Sequence, residues 1–417
     1  SRSGAAPGRT VTLAGFLLGT VSGSGVATTV MLGSVAWPSL RRAGFAAEAA
    51  GAMLAAAGIG ALLSPPTLGA AAFLIAEFLR ISYLQVLVMA TIPTILYYLS
   101  ILLMIEGDAR RLGTRAAAPG ESSLWQLTVR QGYHFTSLIA VAAFLVAGMS
   151  TFRAVFWATL LAAALSYVRR DTALTPSRTI AALRGGAIGV LGVAATTATA
   201  GIIVGVVTLT GLGLKIAGII VSLAGGYLAL TVVYSALAVW LLGLAVPVTA
   251  SYIIAAVMVA PALVQVGVPA AAAHMFIFYY AVLSEVSPPT ALSPFAAAAI
   301  TGGQPFRTMM LTWKYTLPAF LVPFVFTLTP DGLGLLLQTG PATVLTTTVT
   351  AALGLAALAA LLTGWLGREL PPAHRLLLGL AGVLLCYADA RSDVAGLAIS
   401  AVVLFLHFSW HPPAGSR

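Results

Sequence analysis

Two copies of one four-residue word carry the chemistry of this chain: Ser64-Pro65-Pro66-Thr67 and Ser287-Pro288-Pro289-Thr290, 223 residues apart. Paired prolines break a helix and release carbonyl oxygens, and the flanking hydroxyls add further oxygen ligands. The same offset relates Pro38 to Pro261, Gly44 to Gly267, Ala27 to Ala250 and Thr28 to Ser251. Hydroxyls at Ser22, Ser24, Thr28, Ser64 and Thr67 therefore face those of Thr249, Ser251, Ser287 and Thr290 in a second half. Hard oxygens with few carboxylates nearby suit a monovalent cation such as Na⁺ better than a divalent one. Half-helix N-termini at the same breaks favour an anionic substrate group. Any single hydroxyl could instead bond back to the helix one turn earlier. The repeated placement is what argues for a cation site.

Glu285 and His274 lie in an apolar stretch, where ionisable residues are functional candidates by default. Glu285, two residues before Ser287, could touch the cation, relay a proton or sit at the interface. His274 is a relay candidate, weighed against a hydrogen-bonded packing role. Glu77 and Asp389 stand near the ends of apolar runs, where snorkelling accounts for them. No H-E-x-x-H, G-x-S-x-G or G-x-x-x-x-G-K-[ST] motif is present, and no Cys stands near a His, so neither catalysis nor direct ATP hydrolysis is expected. Cys386 is the only cysteine, which excludes an internal disulfide and a thiolate metal site. No metal or organic cofactor is expected beyond a coupling sodium ion.

The elements that must position these groups are membrane helices. Of 417 residues, 59% are hydrophobic and 8% charged, and the mean hydropathy is +1.01, against about 25% charged in a soluble domain. Apolar runs long enough to span a bilayer recur from Val11 to Trp410, and the short alternating segments of a β-barrel are absent. The expected fold is all-α: a polytopic membrane protein with an inverted repeat of broken helices and re-entrant hairpins. The net charge of +10 does not point to nucleic acid, because the basic residues form no face with interleaved aromatics. They fall in three gaps: Arg110, Arg111, Arg115 and Arg130; Arg169, Arg170, Arg178 and Arg184; Arg368 and Arg375. Positive-inside topology puts these gaps in the cytoplasm.

In chain order, residues 1–10 are a polar leader, and 11–107 form a first membrane repeat. Within it, Ser22-Gly23-Ser24-Gly25 marks a re-entrant segment, and half-helices on either side of Ser64–Thr67 form a hairpin. Residues 108–186 hold basic loops and a helix pair around Gly148-Met149-Ser150. Connecting helices fill 187–244, with Leu214 to Leu244 crossing back, kinked at Gly225-Gly226, so that Ala245 lies near the cytoplasmic face. The second repeat with its hairpin spans 245–330, and helices fill 331–417, the middle one (Leu376 to Ala388) tilted or interfacial. If the first repeat ends inside at Arg110 and the second outside at Pro330-Asp331-Gly332, the copies are inverted. Residue 1 is Ser rather than Met and a broken motif begins almost at once, so the chain is expected to be a fragment or a processed product.

Ser22 to Ala27 followed by Ser64-Pro65-Pro66-Thr67-Leu68-Gly69 resembles the large membrane subunit of tripartite ATP-independent periplasmic (TRAP) transporters, most closely the fused permeases of the TAXI branch. Thr210 to Gly213, Val246 to Tyr252, Ala273 to Tyr280 and Pro288 to Leu292 extend the likeness in order through the second half. This chain has Gly243-Leu244-Ala245 where the family has Gly-Met-Gly, and Met53-Leu54 and Gly58-Ile59-Gly60 depart from its Glu-Ala and Gly-Gly. The resemblance implies a sodium-coupled secondary transporter with an elevator-type mobile domain in a bacterial or archaeal cytoplasmic (inner) membrane. It implies a periplasmic substrate-binding protein that delivers an organic acid, and small-membrane-subunit-like helices as partners if these are not fused. It also implies that the breaks at Pro65, Pro66, Pro288 and Pro289 hold substrate and sodium. The alternatives are proton coupling through Glu285 on the same fold, or a truncated, non-transporting membrane scaffold.

Overall fold

In an apolar chain every backbone N–H and C=O must find its partner within the protein, so helices form wherever the sequence permits. The structure, a computed structural model, describes residues 4–66, 68–114, 132–170, 172–244 and 246–409. Among the described residues it holds nineteen α-helices and a single two-residue antiparallel pairing, Trp365–Leu366 with Arg368–Glu369. Five helical stretches are long and apolar enough to cross a membrane. The protein is a polytopic helical membrane protein.

The first repeat opens with α1 (Ala6–Ser22) and α2 (Gly25–Arg42), the packed arms of a hairpin. Its tip needs Gly23, which ends α1 at φ 61°, and Ser24, whose side chain accepts from Ala27 N at 3.4 Å to start α2. Next, α3 (Ala47–Ile59) is built of small apolar residues on every side, and it is buried throughout from Ala49 to Ile59. α4 (Ala71–Leu79) follows the Ser64-Pro65-Pro66 break, and α5 (Tyr83–Arg111) starts on a capping box of Ser82 and Gln85.

α5 runs antiparallel to the stretch formed by α3 and the break that follows it. Gly8 of α1 sits against both Ile105 and Met53. Tyr97 and Tyr98 donate to the carbonyls of Ala56 and Ala57 at 2.7 and 3.3 Å. Thr94 donates to the Leu63 carbonyl, and Tyr83 to that of Pro66 at 3.0 Å. α3 therefore starts beside the end of α5, and the chain after the break reaches the start of α5. The Ser64 segment is a break within a crossing helix, not the hairpin tip expected there. The prolines stop α3, but the packing of α4 decides which way the chain leaves. The re-entrant tip is Gly23–Ser24.

Between the repeats lie α6 (Thr136–Val146), packed on α7 (Thr151–Ser166), then α8 (Pro176–Leu209) and α9 (Leu212–Leu223). Where one crossing from Leu214 to Leu244 was expected, Gly225 and Gly226, at φ 60° and 76°, turn the chain between α9 and α10 (Leu228–Gly243). α10 is the first arm of a second hairpin, and α11 (Val248–Met258) is the other. The second repeat thus takes in α10, and the residues on either side of Ala245 form a tip rather than a face. A largely apolar stretch of 31 residues, Leu214 to Leu244, looks like one span; only the turn separates two elements of roughly half that length.

α12 (Ala260–Gln265) carries Pro261 in its first turn, whereas the equivalent Pro38 lies inside unbroken α2. α13 (Ala270–Ser284), the second break, α14 (Leu292–Thr301), α15 (Pro305–Thr316) and α16 (Val322–Leu328) complete the repeat. Glu48 of α3 accepts from Gln304 N at 3.4 Å, and Lys314 bonds Asp108 near the end of α5. At the other extreme, Gln338 Nε2 contacts Met89 Sδ at 3.1 Å near the start of α5. α15 and α16 thus run antiparallel to α5, and the two repeats are inverted.

The C-terminal α17 (Pro341–Thr363), α18 (Pro372–Leu385) and α19 (Ala390–Ser409) pack in sequence. Arg111 donates to Thr363 O at 3.0 Å and lies 3.9 Å from Glu369, so the first and third basic gaps share one face. Arg115 and Arg130 lie outside the described residues.

Candidate functional site

The two hairpin tips and the two breaks converge on one cavity of about 400 Å³. The first tip contributes Gly23, Ser24, Gly25 and Val26; the second contributes Gly243, Leu244, Val246, Pro247 and Val248. From the breaks come Leu62 on one side and Ser284, Glu285, Thr290 and Leu292 on the other, while Val193 of α8 closes a wall. Four lining pairs obey the 223-residue offset: Gly23 with Val246, Ser24 with Pro247, Gly25 with Val248, and Leu62 with Glu285. The cavity therefore sits where the inverted repeats meet, the place where such folds bind their cargo.

Among the hydroxyls singled out from the sequence, Ser24 and Thr290 line this cavity. Thr290 donates to Leu244 O at 2.6 Å, tying the second break to the second tip. Ser22 donates to Ser24 O at 3.4 Å within the first tip. Ser64 and Ser287 are fully buried and bond back one turn, to Gly60 O at 2.6 Å and Leu283 O at 2.8 Å. The back-bonded geometry is thus realised twice, at equivalent positions. It leaves the hydroxyl lone pairs, but not the protons, for another partner. Ser251 donates to Val246 O at 3.2 Å, and Thr249 occupies the first turn of α11. Thr28 is fully buried, and its hydroxyl has no hydrogen-bond partner. Thr67 lies outside the described residues. Pro65, Pro66, Pro288 and Pro289 are not among the lining residues, and both Pro-Pro bonds are cis.

The carbonyls freed at the first break do not all face the cavity either. Ser64, Thr94 and Tyr83 take those of Gly60, Leu63 and Pro66. These donors, on α5 apart from Ser64, were not found from the sequence. Their signal was the run of Thr and Tyr in a helix read as plain, set beside a break with carbonyls to satisfy.

Glu285 stands at the end of α13. Ser293 Oγ donates to its Oε1 at 2.7 Å, and the backbone N–H of Val26 faces the carboxylate from the other repeat. A Cβ on Gly25 would stand 2.8 Å from Oε1. His274 is elsewhere: its Nδ1 lies 2.8 Å from Tyr252 Oη, and Phe78 stacks on the ring at 5.6 Å. It is a packed, hydrogen-bonded residue that does not line the cavity.

Leu62 and Val193, also in the lining, carried little sequence signal and read as ordinary apolar positions, whereas Gly243 stands in the stretch Gly243-Leu244-Ala245 that answers to the family's Gly-Met-Gly. Gly243 stands close against Ser284, which explains why no side chain fits at that tip. No cluster of three or more metal-ligating side chains occurs among the described residues.

No curated protein matches the chain. The sequence profile described as Tripartite ATP-independent periplasmic transporter, DctM component, matches residues 2–331. That match takes in both hairpins, both breaks and the cavity between them. With both repeats lining one cavity and the profile running through both, the chain belongs to the DctM family of tripartite ATP-independent periplasmic transporters and is a transporter component, not an enzyme.

Proposed function

We propose that this chain is a TAXI-type permease that couples sodium entry to the uptake of an organic acid across a bacterial or archaeal inner membrane. A periplasmic binding protein delivers the substrate. The observation that carries this reading is the cavity on the repeat axis, lined by two glycine-containing tips and by the hydroxyls of Ser24, Ser284 and Thr290. Hydroxyl and carbonyl oxygens suit Na⁺, and backbone N–H groups at helix starts suit a carboxylate. The three basic gaps support an inward orientation of the Arg110 face.

The test is thermal unfolding of the purified chain in Na⁺, K⁺ or choline at equal ionic strength, because a ligand that binds only the folded state raises Tm by mass action. A Na⁺-specific rise is expected. It should shrink in Ser64→Ala and Ser287→Ala if these lone pairs ligate the ion, and an unchanged Na⁺ response in both folded variants would remove the two serines from the site.

A second reading, proton coupling, is favoured by one observation: among the described residues that line the cavity, Glu285 is the only one with an ionisable side chain. Uptake driven by a pH gradient in proteoliposomes would then be lost in Glu285→Gln. Undiminished uptake in that variant would sink this reading.

A further inference from the structure

Glu285 belongs to the second repeat, yet its carboxylate is held partly by the first. Ser293 binds it from within its own repeat at 2.7 Å, and Val26 N–H, in the first turn of α2, faces it across the cavity edge. Gly25 permits this approach, since a Cβ there would meet Oε1 at 2.8 Å and Ile59 at 3.1 Å. The equivalent position in the first repeat is Leu62, which carries no charge, so the cavity is electrostatically one-sided. Among the described residues, no Arg, Lys or His lines it. The described lining therefore offers an anion only hydroxyls and backbone N–H groups, and one of these in the first tip, Val26 N–H, already faces a carboxylate. Two carboxylates competing for one set of donors repel each other, so an arriving one gains most where the resident one leaves. Beyond the lining, the titratable group that feels Glu285 is Tyr97 of α5, which is buried.

We propose that Glu285 is a tethered carboxylate that holds the first hairpin tip to the second repeat until a substrate carboxylate takes its place. Its release uncouples the tip from α13 and α14, so substrate arrival and loosening of the tip are one event. The substrate class that can do this is an acid with at least one free carboxylate. This inference rests on the cavity being the substrate site, but its test does not depend on transport.

The experiment is chemical rescue with acetate, the smallest carboxylate probe, on the full chain. Glu285→Ala should melt below the wild type. Sodium acetate should raise its Tm above sodium chloride of equal concentration, growing with the logarithm of acetate as mass action requires. The wild type, where acetate must first displace the resident carboxylate, should show a much smaller acetate-specific rise. An acetate response that is absent from Glu285→Ala, or equal in the wild type, overturns the proposal.

Glu285→Gln is the second variant, because it keeps the side chain's size. A neutral acceptor makes weaker hydrogen bonds than a carboxylate, so hydrogen exchange of the Gly23–Val26 tip should accelerate in it. Unchanged exchange there overturns the proposal even if the alanine variant does not fold. Rescue without any uptake would remove the transport reading and leave the tether. Uptake without rescue or faster exchange would do the reverse.

Discussion

At the scale of single residues, the break after α3 is held by side chains that satisfy carbonyls which a continuous helix would have satisfied itself. Thr94 and Tyr97 of α5 reach the carbonyls of Leu63 and Ala56, and each is buried. Hydrogen bonds between membrane helices contribute about 1 kcal/mol each. Thr94→Val should therefore lower stability by about that amount in a denaturant titration, while Thr94→Ser should stay near the wild type. If instead Thr94→Ser is the less stable and Thr94→Val stays near the wild type, the methyl packing of Thr94 rather than its hydroxyl is what matters. The sequence showed that the prolines would free carbonyls. It did not show that the donors come from 31 and 41 residues downstream, because that depends on α5 lying antiparallel to α3.

Among elements, close approach is set by where glycine stands. Gly58 of α3 abuts Thr29 of α2, and an added Cβ would also lie 3.0 Å from Gly25 O. Backbone cannot give way as a side chain can, and overpacking costs about 1–3 kcal/mol. Gly58→Ala should therefore lower Tm clearly. On α8, where nothing lies within 4 Å of a Cβ on Gly189, the same change should be neutral or slightly stabilising, since alanine is the better helix former. A matching loss at both positions would show that the α2–α3 contact is not tight. From sequence alone the two glycines are indistinguishable, each one of 42 in an apolar chain.

For the whole molecule, one partly buried cluster pins the two inverted repeats together. Lys314 Nζ of α15 lies 2.9 Å from both carboxylate oxygens of Asp108 on α5, and Tyr315 donates to the same carboxylate at 2.8 Å. Removing one partner strands a buried charge, at a cost of about 3–5 kcal/mol. Lys314→Ala should thus be severely destabilised in a thermal melt. Adding Asp108→Leu to Lys314→Met should recover much of the loss, since the pair taken together contributes little net. A double variant as unstable as either single one would mean that the pin acts through packing rather than charge.

The sequence by itself determined that the chain is helical and membrane-spanning, and that it is built on a duplicated unit. Those properties follow from composition and from a fixed offset between rare residues, which no packing can alter. It also pointed to Glu285 and to Ser24, whose chemistry is unusual wherever they stand. Tertiary structure decided which breaks are hairpin tips and which are crossings, because helices shorter than the bilayer take their direction from what they pack on. It decided, too, that Ser64 and Ser287 turn into the core while Leu62 and Val193 face the cavity. At a broken helix the periodicity that would predict a side chain's direction is itself interrupted, so only the surrounding helices can set it.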